Sequence, residues 1–268
     1  MNRIALALAD GGIVAKRNLI KIKRVPDILV FTLMSPIMFV LLFAYVFGGS
    51  IDNIPGGVNY REFLIAGIFA QTVIFGATFS GAGMADDMQK GIIDRFRSLP
   101  MSPAAVLVGR TASDIVNNVL SLGVMSATGF IVGWRIRTSV PEAVAGFLLI
   151  LAFAYAISWV MAYVGLVVPT PEVVNNASFM FIFPVTFVAN TFVPSQNLPS
   201  VLRTFAEWNP VSSLAQAARE LFGNVGPEAA SGAWSMEHPV VYTLIWVGII
   251  LAVFVPLCVR RYQAAANK

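Results

Sequence analysis

Six stretches of the chain run for about twenty residues without an aspartate, glutamate, lysine or arginine, and short charged or proline-bearing segments separate them. A bilayer core about 30 Å thick takes about 20 apolar residues in helical conformation to cross. The runs therefore predict spanning helices at Ile28–Phe47, Phe63–Ala85, Ile115–Trp134, Ala143–Val168, Val173–Val193 and Val240–Val259. Only Pro169-Thr170-Pro171-Glu172 divides the fourth from the fifth. Two prolines there remove helical donors and force a tight turn.

Between the runs the pattern turns amphipathic. Residues 85–110 read ADDMQKGIIDRFRSLPMSPAAVLVGR. Charges at Asp86, Asp87, Lys90, Asp94, Arg95 and Arg97 interleave with Met88, Ile92, Ile93, Phe96 and Leu99, which predicts a short helix lying on the membrane surface. Leu99-Pro100 and Ser102-Pro103 end it. Such an element suits a groove on a soluble partner, or serves only as a solvated connecting loop.

A second segment, 194–239, parses into two short helices. Pro199 and Pro210 stand at first-turn positions, Asn209 is a good N-cap, and Gly223 follows Phe222 as a stop. Val201, Leu202, Phe205 and Trp208 share one face of the first, and Leu214, Ala218, Leu221 and Phe222 one face of the second. These helices dip into the outer leaflet, cap the spans, or form an ordinary hairpin outside them. Before the first span, residues 1–27 mix Ile13, Val14, Leu19 and Ile20 with Lys16, Arg17, Lys21, Lys23 and Arg24. That mixture fits an interfacial helix drawn to anionic lipid, or a plain positive anchor.

Composition agrees with a membrane protein: 57% of the 268 residues are hydrophobic and 12% charged, about half the charged share of a soluble domain. Mean hydropathy is +0.76. The net charge of +4 is spread over segments flanking the apolar runs, as topology requires, and does not point to nucleic acid. One cysteine, Cys258, and one histidine, His238, exclude an internal disulfide and leave too few soft ligands for a typical zinc or copper site. No G-x-x-x-x-G-K-[ST] loop is present to cradle nucleotide phosphates, and no G-x-S-x-G serine motif. The spans hold no acid between their ends, Asp114 standing at the border of the third, which argues against proton coupling.

With both termini cytoplasmic, thirteen of the eighteen basic residues fall inside. Outside are Arg61, Arg135, Arg137, Arg203 and Arg219. The bias favours that orientation and makes 86–103 a cytoplasmic loop.

KGIIDRFRSLPMSPAAVLVGR resembles the cytoplasmic loop of type-2 ABC exporter permeases, above all the daunorubicin-resistance branch, where K-G-x-x-(D/E)-R-x-x-x-x-P joins the second and third spans. FPVTFVANTFVPSQNLPSVLRTFAEWNPVSSLAQAAR, residues 183–219, is similar to that family's fifth-span signature. The resemblance covers nearly the whole chain. It implies an all-α integral membrane protein of six transmembrane helices forming one domain over 1–268, with an N-terminal interfacial helix, a cytoplasmic coupling helix and short outer re-entrant helices.

The resemblance further implies that Lys90, Gly91, Asp94, Arg95 and Pro100, with neighbouring Asp86, Asp87, Phe96 and Arg97, contact an ATP-binding subunit. Aspartates stand at 86 and 87 where family loops often begin with glutamates, and Ile92 stands where threonine is common. Pro194, Leu198, Pro199, Asn209 and Pro210 match the family's outer gate. This chain would be no enzyme and carry no cofactor. ATP and magnesium would act on the partner, present in two copies, beside a second permease chain, identical or related, within the lipid of the cytoplasmic membrane.

Polar or soft residues on apolar spans are candidates for a substrate pathway: Gln71, Thr72 and Phe75, then Asn175, Asn176 and Asn190, with Met34 and Met38. Amides also serve as glue between helices. Gly76, Ser80, Gly81 and Gly83 offer small surfaces for close helix contact. With no charged cavity residue in view, a hydrophobic or amphiphilic drug or lipid fits as exported cargo. Polysaccharide or another cargo carried by the same class, or a scaffold that transports nothing, remain the alternatives.

Overall fold

The computed structural model describes residues 20, 34, 36–47, 59–92, 103–225 and 232–264, and no strand occurs among them. The segment 1–27 therefore lies outside the described residues, Ile20 apart. Of the first expected span, Met34 and 36–47 are described, and Pro36–Val46 forms a short apolar helix.

Nine further helices follow among the described residues: α1 Tyr60–Gly76, α2 Thr78–Gln89, α3 Pro103–Val132, α4 Val140–Val167, α5 Pro171–Val188, α6 Ser200–Glu207, α7 Pro210–Phe222, α8 Trp234–Glu237 and α9 Pro239–Ala264. Among the described residues, four apolar helices are long enough to cross a membrane: Tyr60–Gln89, Val106–Val132, Val140–Val167 and Pro239–Ala264. At 1.5 Å per residue each reaches about 40 Å. α1 and α2 make one rod with a slight break at Ala77, whose amide still reaches the Val73 carbonyl at 3.2 Å.

Local sequence explains the helix ends. Asn59 caps α1 by accepting from the Arg61 amide at 3.0 Å, and at α4 the Glu142 carboxylate accepts from the Ser139 amide and hydroxyl at 3.0 and 2.8 Å, as N-terminal donors require. α5 stops at Val188, five residues before the expected end. Pro184 has already deprived the helix of one amide, and Ala189 is extended, with ψ 159.

α3 departs furthest from expectation. It starts at Pro103, well before the uncharged run at Ile115, so Arg110 and Asp114 are helical residues continuous with that run. Asp114 is buried inside this helix rather than standing at its end. A search for uncharged runs ends at any charge, whereas a helix continues through charges that find partners.

α4 is the hub, packed against α2, α3, α7 and α9. At its crossing with α2 the backbones touch: a Cβ on Gly165 would overlap the Gly81 carbonyl, and one on Gly81 would stand 2.7 Å from the Met161 carbonyl. Small residues thus allow the close approach that drives association of helices in lipid. α7 is no peripheral hairpin. It is buried from Val211 to Arg219 among α1, α4 and α9. Its Phe222 ring meets Phe69 and Trp134 edge-on at centroid distances of 6.0 and 5.4 Å.

Candidate functional site

Both ends of the helical body carry built polar features. At one end lie the start of α1, the turn between α3 and α4, and α6 to α8. At the other lie the end of α2, the start of α5 and the end of α9.

At the second end α2 closes with Lys90, whose ammonium contacts Asp86 at 2.8 Å. That hydrogen bond, reinforced by the carboxylate's charge, raises the lysine pKa. The pair is solvent-exposed and contributes little to stability. Gly91 turns the chain in the left-handed region, φ 63, a conformation that glycine adopts without steric cost. Asp86, Asp87, Lys90 and Gly91 are thus brought together at one helix end. Asp94, Arg95, Phe96, Arg97 and Pro100, the rest of the expected coupling element, lie outside the described residues.

From this end a polar seam runs inward between α2 and α3, unannounced by the sequence pattern. Arg110 donates to the Phe79 carbonyl at 2.8 Å and faces the Asp87 carboxylate at 3.8 Å. Its guanidinium occupies the space beside Gly83, where a Cβ would overlap it. One turn further along α3, the buried Asp114 accepts from the Ser80 hydroxyl. Buried Asn118 follows, its side-chain oxygen 3.2 Å from where a Cβ on Gly76 would stand. The four small residues singled out in the sequence therefore admit polar side chains of α3 at Gly76, Ser80 and Gly83, and only Gly81 serves the α4 contact.

The expected pathway residues do not form one cluster. Gln71 and Thr72 are buried inside α1, and the Thr72 hydroxyl has no hydrogen-bond partner. Asn175 and Asn176 are exposed at the start of α5. Asn190 is buried at the opposite end, its amide nitrogen 3.8 Å from the Met236 sulfur. A line of rings connects these places. Phe75 approaches Phe179 at 6.3 Å. Phe179, Phe183 and Phe187 then stack along α5 at 5.0 and 4.1 Å, and Phe187 passes to Phe192 at 5.1 Å and Phe192 to Phe43 at 4.5 Å. Asn175, Phe179, Phe183 and Phe187 stand four residues apart on one stripe. Phe179 is 58% exposed. The spacing was legible in the sequence and is the missed signal.

At the first end Asn209 serves two helices. Its side-chain oxygen accepts from the Val211 amide at 2.9 Å, capping α7, and its amide donates to the Val185 carbonyl near the end of α5 at 2.7 Å. Pro210 occupies the first position of α7, as expected, while Pro199 is the N-cap of α6 rather than a first-turn residue. Pro194 is buried at the head of a single 3-10 turn over Ser195–Asn197, which Leu198 closes.

Arg219, counted among the outer charges by sequence, is 1% exposed. It donates to the carbonyls of Phe63 at 3.0 Å, Asn190 at 2.7 Å and Thr191 at 3.3 Å, and its guanidinium carbon lies 3.5 Å from the centre of the Phe63 ring. Two other basic residues here close the end of a helix. Arg61 and Arg135 donate to the Val132, Phe130 and Trp134 carbonyls at the end of α3, and Arg137 pairs with Glu62 at 2.8 Å. Hydrogen bonding to Glu62 raises the Arg137 pKa. Among the described residues no three of histidine, cysteine, aspartate and glutamate gather as a metal would need.

The described residues form a helical body that includes four helices long and apolar enough to cross a membrane. The family model described as ABC-2 type transporter matches residues 11–222, and the chain belongs to that family. It is 29% identical over 247 residues to the daunorubicin resistance ABC transporter permease protein DrrB1 of Streptomyces coeruleorubidus, covering 92% of this chain and 83% of that one. It is 24% identical over 236 residues to the doxorubicin resistance ABC transporter permease protein DrrB of Mycobacterium tuberculosis, covering 86% and 82%. The putative transport permease ycf38 of Cyanophora paradoxa is 23% identical over 216 residues, covering 79% and 73%. These relatives place the chain in the daunorubicin- and doxorubicin-resistance branch, as a multi-pass membrane protein.

Proposed function

We propose that the chain is the permease subunit of an ATP-driven exporter that moves hydrophobic or amphiphilic drugs or lipids out of the cytoplasmic membrane. The observation that carries this reading is the ring line from Phe75 to Phe192, which runs from the level of the Ala77 break to the first end and is half open along α5. Planar apolar cargo gains offset stacking on such a line at each step and meets no charge that would have to be desolvated.

In this reading six helices span the membrane, the Pro36–Val46 and Pro171–Val188 helices being parts of the first and fifth, and both termini are cytoplasmic. Two such chains, identical or related, form the pathway above two ATP-binding subunits, which hold the ATP and magnesium. Asp86, Asp87, Lys90 and Gly91 present the end of α2 to the ATP-binding subunit, and Asp94, Arg95, Phe96, Arg97 and Pro100 complete that contact. Closure of the ATP-binding subunits displaces α2, and a rigid rod of about 45 Å carries the movement to the opposite end. There Pro194, Leu198, Pro199, Asn209 and Pro210 form the exit gate.

The test is uptake of daunorubicin into inverted membrane vesicles holding the chain with its ATP-binding subunit. ATP-dependent accumulation that Phe183→Ala lowers supports the reading. Equal uptake with and without ATP contradicts it.

A further inference from the structure

Arg110 is a costly residue to place at a helix crossing, where its side chain keeps only 15% exposure. A charged group in a low-dielectric setting requires partners to offset lost hydration, and a well-packed apolar replacement for a whole buried ion network is often neutral or stabilising. Stability alone therefore gives little reason for an arginine here. Its geometry does.

The guanidinium holds two points of α2 that lie eight residues apart: the Phe79 carbonyl at 2.8 Å and the Asp87 carboxylate at 3.8 Å. The carbonyl points along the helix toward its C-terminal end and the aspartate side chain leans back toward its N-terminal end, so both converge on Gly83, midway between them. Gly83 has no side chain, and the guanidinium fills the space. Asp114, four residues beyond Arg110 on α3, takes the Ser80 hydroxyl. Around this seam the α2 contacts with α4 are apolar or backbone contacts, including the Gly81 and Gly165 crossing.

We propose that Arg110 is a positioning residue that carries displacement of the Asp86–Lys90 end of α2 into α3. Apolar contacts are non-directional and let helices slide, whereas hydrogen bonds weaken steeply when misaligned. A shift of α2 therefore drags α3 through the arginine rather than slipping past it. The buried Nε of Arg110 has no partner. The fork thus keeps a donor in reserve for a second arrangement, as an element with two discrete positions requires. The inference rests on the reading of the chain as an ATP-driven permease.

The experiment uses the chain assembled with its ATP-binding subunit in lipid nanodiscs. Cys258, which is buried, is first changed to serine. A single cysteine is then placed by Gln89→Cys at the end of α2 or by Val116→Cys on the exposed face of α3, and labelled with an environment-sensitive fluorophore. ATP with vanadate traps the closed state.

In the wild-type background both positions respond. In Arg110→Gln and in Gly83→Ala, which leaves every charge in place and displaces only the guanidinium, the Gln89 response stays within about twofold and the Val116 response falls by about fivefold or more. Arg110→Lys restores part of it. A Val116 response of wild-type size in both variants overturns the proposal, as does equal loss at both positions. Silence at both positions in the wild-type background instead overturns the permease reading, and the inference with it.

Discussion

The Arg219 guanidinium donates to the Asn190 carbonyl at 2.7 Å, and this bond joins the last turn of α7 to the corner where α5 has ended. The same side chain reaches Phe63 and Thr191, so one buried cation ties α1, α5 and α7 at the first end. Arg219→Met removes the donor from three carbonyls, and a cost of about 3 kcal/mol or more is expected. The melting temperature in detergent falls accordingly. Arg219→Lys recovers only part, because an ammonium cannot reproduce the planar fork or lie across the Phe63 ring.

Gly67 offers a steric test of the same corner. A Cβ there would overlap the Thr191 carbonyl, which is backbone and cannot swing aside, and a Cβ on Gly165 would overlap the Gly81 carbonyl. Gly67→Ala and Gly165→Ala each destabilise by about 1–3 kcal/mol. Gly123 and Gly248 face open space, and alanine at either leaves stability unchanged or raises it by up to about 1 kcal/mol through helix propensity. Thermal unfolding of the four variants side by side separates the two groups.

Asn209 separates capping from clamping. Asn209→Asp keeps the oxygen that accepts from Val211 and loses the donor to Val185, whereas Asn209→Ala loses both. The alanine variant costs about 1–3 kcal/mol, and the aspartate variant costs less by roughly the worth of the cap, about 1 kcal/mol. Equal losses in both would mean that the clamp on α5 dominates.

The ring line predicts a functional effect without a structural one. Phe183 stacks on both Phe179 and Phe187 and is only partly buried. Phe183→Ala raises the daunorubicin concentration needed for half-maximal stimulation of ATP hydrolysis by about tenfold, as loss of one or two aromatic contacts implies, while basal hydrolysis stays unchanged. Val116→Ala, on the exposed face of α3 away from the line, leaves both quantities unchanged.

What could be read from the sequence follows from what each signal measures. The runs at 63–85, 143–168 and 240–259 fall inside observed helical rods to within a residue, the first with its break at Ala77, because an uninterrupted apolar stretch of that length has little choice but to be helical in lipid. The Asn209, Pro210 and Gly223 signals hold for α7 because capping is local chemistry. The partners of Arg110, Asp114 and Arg219 were hidden for one common reason. A charge in a sequence marks the edge of a span unless its partners are known, and those partners, Asp87, Ser80 and the Asn190 carbonyl, come from segments that only the fold brings alongside. The Gly81 and Gly165 contact was half visible: small residues were evident on α2, and their counterpart 84 positions away was not. Phe179, Phe183 and Phe187 stand at a four-residue spacing that is plain in the sequence, but aromatic residues on an apolar helix carry no mark that separates a ring line from ordinary packing.

The most direct test of the account is ATP hydrolysis by the chain purified with its ATP-binding subunit, with and without daunorubicin, for wild type, Asp94→Ala and Arg95→Ala. The account predicts stimulation by the drug in wild type and its loss in both variants, with the complex still assembled. A chain that binds no ATP-binding subunit, or leaves the hydrolysis rate unaltered, would contradict it.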